Sequence, residues 1–345
     1  MKLPRPLAGG AKLLVTLLLL YFVFQSVDLS KIARDLGSFS AASLLALLAC
    51  CWAGQLLCSE RWRIFAASLR MRGRYLSFVQ MYFTGMFFNI GLPSLVGGDA
   101  VKAYIVSRRH GQPFQAGLAS VLQDRGAGLL ALLLFGSAAI LISPASWRGI
   151  PLWIAYLLLW IAAALLLWLL FKGDRLYRRF LNPASRAPWQ KALRTAAGFH
   201  QALGVSSLPP GAALRVVFYS LIYSGLVLWV FQQVTAAAGH EVGIVPFSAL
   251  FPLITIGTML PVTLGGIGIR EWLYVEALSL VGIPPAQALA ISLATSALLL
   301  TCNLAGILFL PAIPKELRPQ TLDFRDNPAN TDAAEHRIPQ RNDVI

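Results

Sequence analysis

The chain has 345 residues, of which 57% are hydrophobic and only 13% charged, and its mean hydropathy is +0.66. Soluble domains carry about 25% charged residues, so this composition excludes an ordinary soluble enzyme, a disordered chain and a small disulfide scaffold, and makes the bilayer the main solvent. The net charge of +14 comes from 29 basic and 15 acidic residues, but the basic residues lie between apolar runs, which reads as cytoplasmic loops and not as a nucleic-acid surface.

In chain order, Ala11–Val27 is the first apolar run, with Lys2, Arg5 and Lys12 around its start. A cleaved signal peptide is the competing reading; no small-x-small site precedes Asp28, which favours an uncleaved span. Ser40–Ser59 is the second span, closed by Glu60-Arg61-Trp62. The basic, aromatic stretch Arg61–Tyr75 follows and reads as an interfacial anchor on the cytoplasmic face. Leu76–Gly98 is apolar but broken by Asn89, Gly91, Pro93, Gly97 and Gly98, with positive charge on both sides. It should leave and return to the same face, as a re-entrant hairpin or as two crossings.

Phe114–Ile142 is a full crossing that contains Asp124-Arg125, and Leu152–Phe171 returns. Lys172–Arg194, with seven basic residues and one acidic, is the firmest cytoplasmic marker, and Trp189–Leu203 reads as a second interfacial anchor. Ala212–Ala237 goes outward, and Gly239–Val245 lacks Lys and Arg, as suits the far side. Pro246–Gly282 is again broken in its middle, by Pro261, Gly265, Gly266 and Gly268, and Ala286–Pro311 returns to the inside. The reading is an all-α polytopic membrane protein with six full crossings and two broken hairpins. Residues 1–312 form one membrane domain, residues 313–345 a polar, disordered tail, and both termini are cytoplasmic.

The two broken stretches align. Leu92-Pro93, three residues, Gly97-Gly98, three residues and Lys102 lie over Leu260-Pro261, three residues, Gly265-Gly266, three residues and Arg270. The charge pattern makes the first hairpin enter from the inside and the second from the outside, which is an inverted repeat and a pointer to a transporter site near the midplane. After each Gly-Gly a new helix begins, with Asp99 as N-cap of the first, and helix starts carry free N–H groups and partial positive charge. With Lys102, Arg125 and Arg270 these ends make a cationic pocket for a phosphate group, and Asp99, Asp124 and Glu271 hold the cations when it is empty.

Plainer readings stand beside this one. The breaks can be kinks or close-packing sites, and the charges can be structural ion pairs. Neighbours on a helix do not face each other, so Asp124, Arg125, Arg270 and Glu271 each call for a partner elsewhere. Glu276 reads as solvated and Asn303 as glue between helices or as a site residue. Cys50, Cys51, Cys58 and Cys302 lie in apolar runs as small buried hydrophobes, and His110, His200, His240 and His336 form no metal motif.

Arg61-Trp62, Pro93 with Gly98-Asp99, Ala119-Ser120-Val121 leading to Asp124-Arg125, and Pro261 with Gly265-Gly266-Ile267-Gly268-Ile269-Arg270-Glu271 resemble the flippase-like family of the lysylphosphatidylglycerol synthase transmembrane region. The similarity covers about residues 10 to 312, with Lys102 where arginine is common. It implies a cell-membrane protein that moves, or helps to move, a lipid between leaflets. In bifunctional synthases the same region is fused to a soluble aminoacyl-transferase domain. Here Lys315–Ile345 is too short for one, so synthesis of lysyl-lipid is not expected. Relatives linked to hopanoid, glycolipid and polyprenyl-phosphate pathways leave the cargo open.

The first expectation is therefore a translocase for an anionic phospholipid or a polyprenyl or glycolipid headgroup, with membrane lipids as partners, no nucleic acid and no cofactor. No nucleotide-binding loop is present, so movement is passive or ion-coupled. An intramembrane lipid-phosphate transferase is the rival; it has carboxylates, but no histidine in the spans and no acidic metal cluster. A third reading is a non-transporting partner of a lipid or glycan biosynthetic enzyme. Cargo, direction and oligomeric state are left open by the sequence.

Overall fold

The computed structural model describes residues 41–91, 97–144, 146–147, 149–172, 208–259 and 268–312. The expected first span Ala11–Val27, the loop Lys172–Arg194 beyond its first residue, the anchor Trp189–Leu203, the tail, and Pro93, Pro261, Gly265 and Gly266 lie outside them. Among the described residues the fold is all-α, with one two-stranded ribbon in a connection.

Helix α1 is Ala41–Ser68, α2 is Tyr75–Gly91, α3 is Gly97–Arg109 and α4 is Phe114–Ile142. The ribbon pairs Ser146 with Pro151 and Trp147 with Ile150, and leads into α5, Leu152–Lys172. Helices α6, Pro210–Ala237, α7, Ile244–Met259, α8, Ile269–Ser279, and α9, Pro285–Leu304, follow, and a 3-10 turn continues over Ala305–Ala312. Proline marks the starts of α4, α6 and α9, where its missing N–H has no intrahelical acceptor to lose.

Among the described residues, four stretches are long and apolar enough to cross a membrane: Ala42–Ser68, Phe114–Ile142, Pro210–Ala237 and Pro285–Leu310. They coincide with the expected crossings of α1, α4, α6 and α9. Helix α5 offers a shorter apolar stretch, Leu152–Trp168, and its Leu157, Leu158, Ile161, Leu165 and Leu166 are all exposed, as suits side chains solvated by lipid.

Helix α1 does not stop at Ser59. It runs on to Ser68 because its charges are satisfied without leaving the helix. Arg63 donates from Nε and Nη2 to both oxygens of Glu60 at 2.7 and 2.6 Å, and Trp62 is wholly buried, donating to Ser120 Oγ at 3.0 Å. The basic residues exposed at this end are Arg70, Arg72 and Arg74 between α1 and α2, and Arg108 and Arg109 ending α3. His110 ties the two turns, with ring nitrogens 2.9 Å from the Val106 carbonyl and 3.0 Å from that of Arg72.

Helices α2 and α3 pack antiparallel as the two arms of a hairpin. Tyr82, Gly85 and Asn89 share one face of α2, being three and four residues apart, and they meet Lys102 and Gly98 of α3. The approach is close enough that a Cβ on Gly85 would run into the Lys102 side chain and the Gly98 carbonyl, and one on Gly98 into the Gly85 carbonyl and Asn89. At 17 and 13 residues the arms reach about 25 and 20 Å, short of a hydrocarbon core about 30 Å thick. The second broken stretch gives α7 and α8, of 16 and 11 residues, in contact where Leu273 fills the space beside Gly257.

Two cores follow from these hairpins. One gathers Trp62, Phe78, Met81, Ile105 and Val121 around α2 and α3; the other gathers Phe231, Phe247, Tyr274 and Ile291 around α7 and α8. Leu48 and Cys51 of α1 pack against both. All four cysteines carry free thiols, two buried and two partly so.

Candidate functional site

Asp99 sits in the first turn of α3 and Lys102 one turn on, so helical spacing puts both on one face. Lys102 Nζ lies 2.7 Å from Asp99 Oδ1 and 4.2 Å from the centroid of the Tyr82 ring, an aromatic face that attracts the ammonium. From α4, Arg125 donates from Nε to Asp99 Oδ2 at 2.9 Å and from Nη2 to Oδ1 at 3.1 Å. This is the two-pronged clasp that a planar guanidinium makes with a carboxylate.

The three side chains differ in access. Asp99 and Lys102 are 7% and 2% exposed, whereas Arg125 is 39% exposed. One carboxylate thus faces two cations, leaving one positive charge without a counter-ion among the described residues. Arg125 lies about 16 Å along α4 from Phe114, inside the apolar span Phe114–Ile142.

Asp124 turns the other way. Its Oδ1 accepts from Arg61 Nε at 2.7 Å, and Arg61 also donates to Ser220 Oγ at 3.1 Å and to the Cys58 sulfur at 3.7 Å. The guanidinium lies 5.7 Å from the Tyr223 ring centroid and against Gly128. With 3% and 2% exposure, this pair is charge-balanced and closed, fastening α1 to α4 and, through Ser220, to α6. Arg61 is therefore not an interfacial anchor. It is the partner that sequence reasoning missed, although Asp124 within the span demanded a cation that its own neighbour could not supply.

The third group is Arg270–Glu271 at the start of α8. Arg270 donates from Nε and Nη2 to Glu271 Oε1 at 3.1 and 2.9 Å, and Glu271 Oε2 accepts the Gly268 N–H at 2.6 Å. Here the two neighbours do meet, contrary to expectation. In the first turn Glu271 folds back to cap the helix, and this brings its other oxygen within reach of Arg270. Gly268, with φ of +88°, occupies the left-handed region that favours glycine.

The helix starts are likewise less open than expected. The N–H of Gly98 donates to Asn89 Oδ1 at 2.9 Å, so Asn89 of the opposite arm takes the capping role expected of Asp99, which lies inside the first turn. The Gly98 N–H is thereby taken up within the hairpin, and the partly exposed cation beside it is Arg125. Of the expected site residues, Asp99, Lys102 and Arg125 form one cluster, with Gly97 and Gly98 at the start of its helix; Asp124 joins Arg61. No ion pair among the described residues links Arg270 or Glu271 to either group.

Glu276 is not simply solvated; its Oε2 accepts from Trp147 Nε1 of the ribbon at 3.1 Å. Among the described residues, no three His, Cys, Asp or Glu side chains gather closely enough to hold a metal ion.

Residues 10–306 match the family described as lysylphosphatidylglycerol synthase TM region. No curated protein and no solved structure matches the chain.

Proposed function

We propose, from the premise that this chain belongs to the family of the lysylphosphatidylglycerol synthase TM region, that it is a lipid translocase acting without covalent change to its cargo. Membership of this family and its apolar helices make it an integral membrane protein in a lipid context. The finer reading places it in the cell membrane with both termini cytoplasmic, six full crossings, and two hairpins inserted from opposite faces as an inverted repeat. The α2–α3 arms, too short to cross, support this.

The observation that carries the reading is the partly exposed side chain of Arg125, within the α4 span, in a cluster that keeps one uncompensated positive charge among the described residues. A cation inside a membrane is costly and calls for a counter-ion. The headgroup of an anionic phospholipid, or of a polyprenyl or glycolipid phosphate, supplies it while the tails remain in lipid. On binding, the phosphate takes one edge of Arg125, and Asp99 leans on Lys102 alone. Release reverses the exchange, so the carboxylate holds the site together between passages. Arg270 of the second hairpin, 26% exposed, offers a second guanidinium along the way.

Reconstitution into liposomes tests this. Fluorescent anionic phospholipid placed in both leaflets becomes accessible to an external quencher beyond the outer half when the protein moves it. The same accessible fraction with and without protein would refute the reading.

A further inference from the structure

The charge count of the cluster carries a statement about which headgroup it takes, resting on the translocase reading above. We infer that Asp99, Lys102 and Arg125 form a charge-selecting site for headgroups with a single negative charge, phosphodiesters, in preference to phosphomonoesters that carry two.

Lys102 cannot serve as a ligand for a lipid. Its side chain is 2% exposed, lies over the Tyr82 ring, and is covered by the close approach of α2 at Gly85. Its ammonium stays on Asp99 and cancels that charge. Arg125, reaching the same carboxylate from α4, is then surplus by one full charge. Among the described residues, Arg61 and Asp124, the latter beside Arg125 in α4, neutralise each other in a closed pair and lend nothing. Arg270 and Glu271 are likewise balanced. One negative charge on the ligand brings the cluster to neutrality; a second would lie in a medium of low polarity with no cation to meet it, where uncompensated charge is penalised far more than in water.

Lys102 is thus a positioning residue that never touches the cargo. By holding Asp99 it leaves Arg125 free for an anion. Replacing Lys102 by methionine keeps an unbranched side chain but takes the cluster from +1 to neutral. Arg125 is then satisfied by Asp99, and the demand for an anion disappears. Asp99→Asn works in the opposite sense, raising the cluster to +2 and making room for a doubly charged monoester.

Purified protein in neutral nanodiscs, titrated with phosphatidylglycerol and with phosphatidic acid of matched chains at pH 8, tests this. That pH lies above the second ionisation of a phosphomonoester, about 6 on a phosphorylated side chain, and binding is read by native mass spectrometry. Wild type is expected to prefer the diester by about tenfold or more, equivalent to ~1.4 kcal/mol. Lys102→Met should lose that preference, and Asp99→Asn should reverse it. Equal affinities in wild type, or a ratio untouched by Lys102→Met in a folded variant, would overturn the inference. Should the variants not fold, the wild-type ratio decides alone. Dimethyl phosphate, a monoanion without tails, is expected to bind far more weakly. Binding as tight as the lipid's would make a free anion the ligand and overturn the assignment to a headgroup. Selective binding without leaflet exchange would sink the transport reading and leave this one standing, and exchange without charge preference would do the reverse.

Discussion

Asp124 and Arg125 are adjacent in helix α4 yet belong to different ion pairs, the first closed against Arg61 of α1 and the second half-open against Asp99 of α3. Successive residues on a helix point about 100° apart, so one helix holds a closed, balanced charge and a half-open one side by side. The two should separate cleanly under mutation.

Removing one partner of a buried pair leaves the other charge stranded, at a cost of about 3–5 kcal/mol. Asp124→Asn and Arg61→Met are therefore expected to lower the thermal unfolding midpoint in detergent sharply and reduce the yield of monodisperse protein. The double variant should recover part of the loss. Single variants as stable as wild type would show that this pair does not fasten α1 to α4.

Close approach of the hairpin arms depends on Gly85. A Cβ there meets Lys102 and Gly98, whereas one on Gly126 meets nothing within 4 Å. Gly85→Ala should cost about 1–3 kcal/mol by overpacking and pull Lys102 off Asp99. Gly126→Ala should be neutral or slightly stabilising, since alanine favours a helix by about 1 kcal/mol over glycine. Unfolding curves of the two variants check this; similar stabilities would contradict the packing described.

Asn89 caps the start of α3 from the opposite arm through the 2.9 Å bond to the Gly98 N–H. Asn89→Ala removes that acceptor and is expected to cost about 1 kcal/mol. Faster exchange of the Gly98 amide, followed by hydrogen–deuterium exchange, is the local sign, and unchanged exchange would show that the cap does not hold the hairpin.

Helices were legible in the sequence wherever long apolar runs were bounded by proline or charge, as at Pro113, Pro209 and Pro284. The same boundary rule misplaced the end of α1. It treats each charge as a signal to leave the membrane, whereas Arg61 stays buried because its carboxylate lies 63 residues further on. Asp99, Asp124 and Glu271 were legible as carboxylates for the cations Lys102, Arg125 and Arg270, but the partnership of Asp99 with Lys102 one turn on was not drawn. That Arg125 would share the same carboxylate depended on how α4 packs against α3. The cap by Asn89 and the meeting of Arg270 with Glu271 were illegible for a related reason. Both arise from side chains folding back at a helix start, where interior spacing rules do not apply.

The most direct test of the account is the rate of leaflet exchange of a fluorescent phosphodiester lipid in liposomes carrying Arg125→Ala, beside wild type and Gly126→Ala. Because Asp99 keeps Lys102 and Arg125 is partly exposed, the stability lost should be about 1 kcal/mol or less. The account predicts exchange near the protein-free level for Arg125→Ala, at an unfolding midpoint close to wild type, with Gly126→Ala unaffected. Exchange at the wild-type rate by folded Arg125→Ala protein would contradict it.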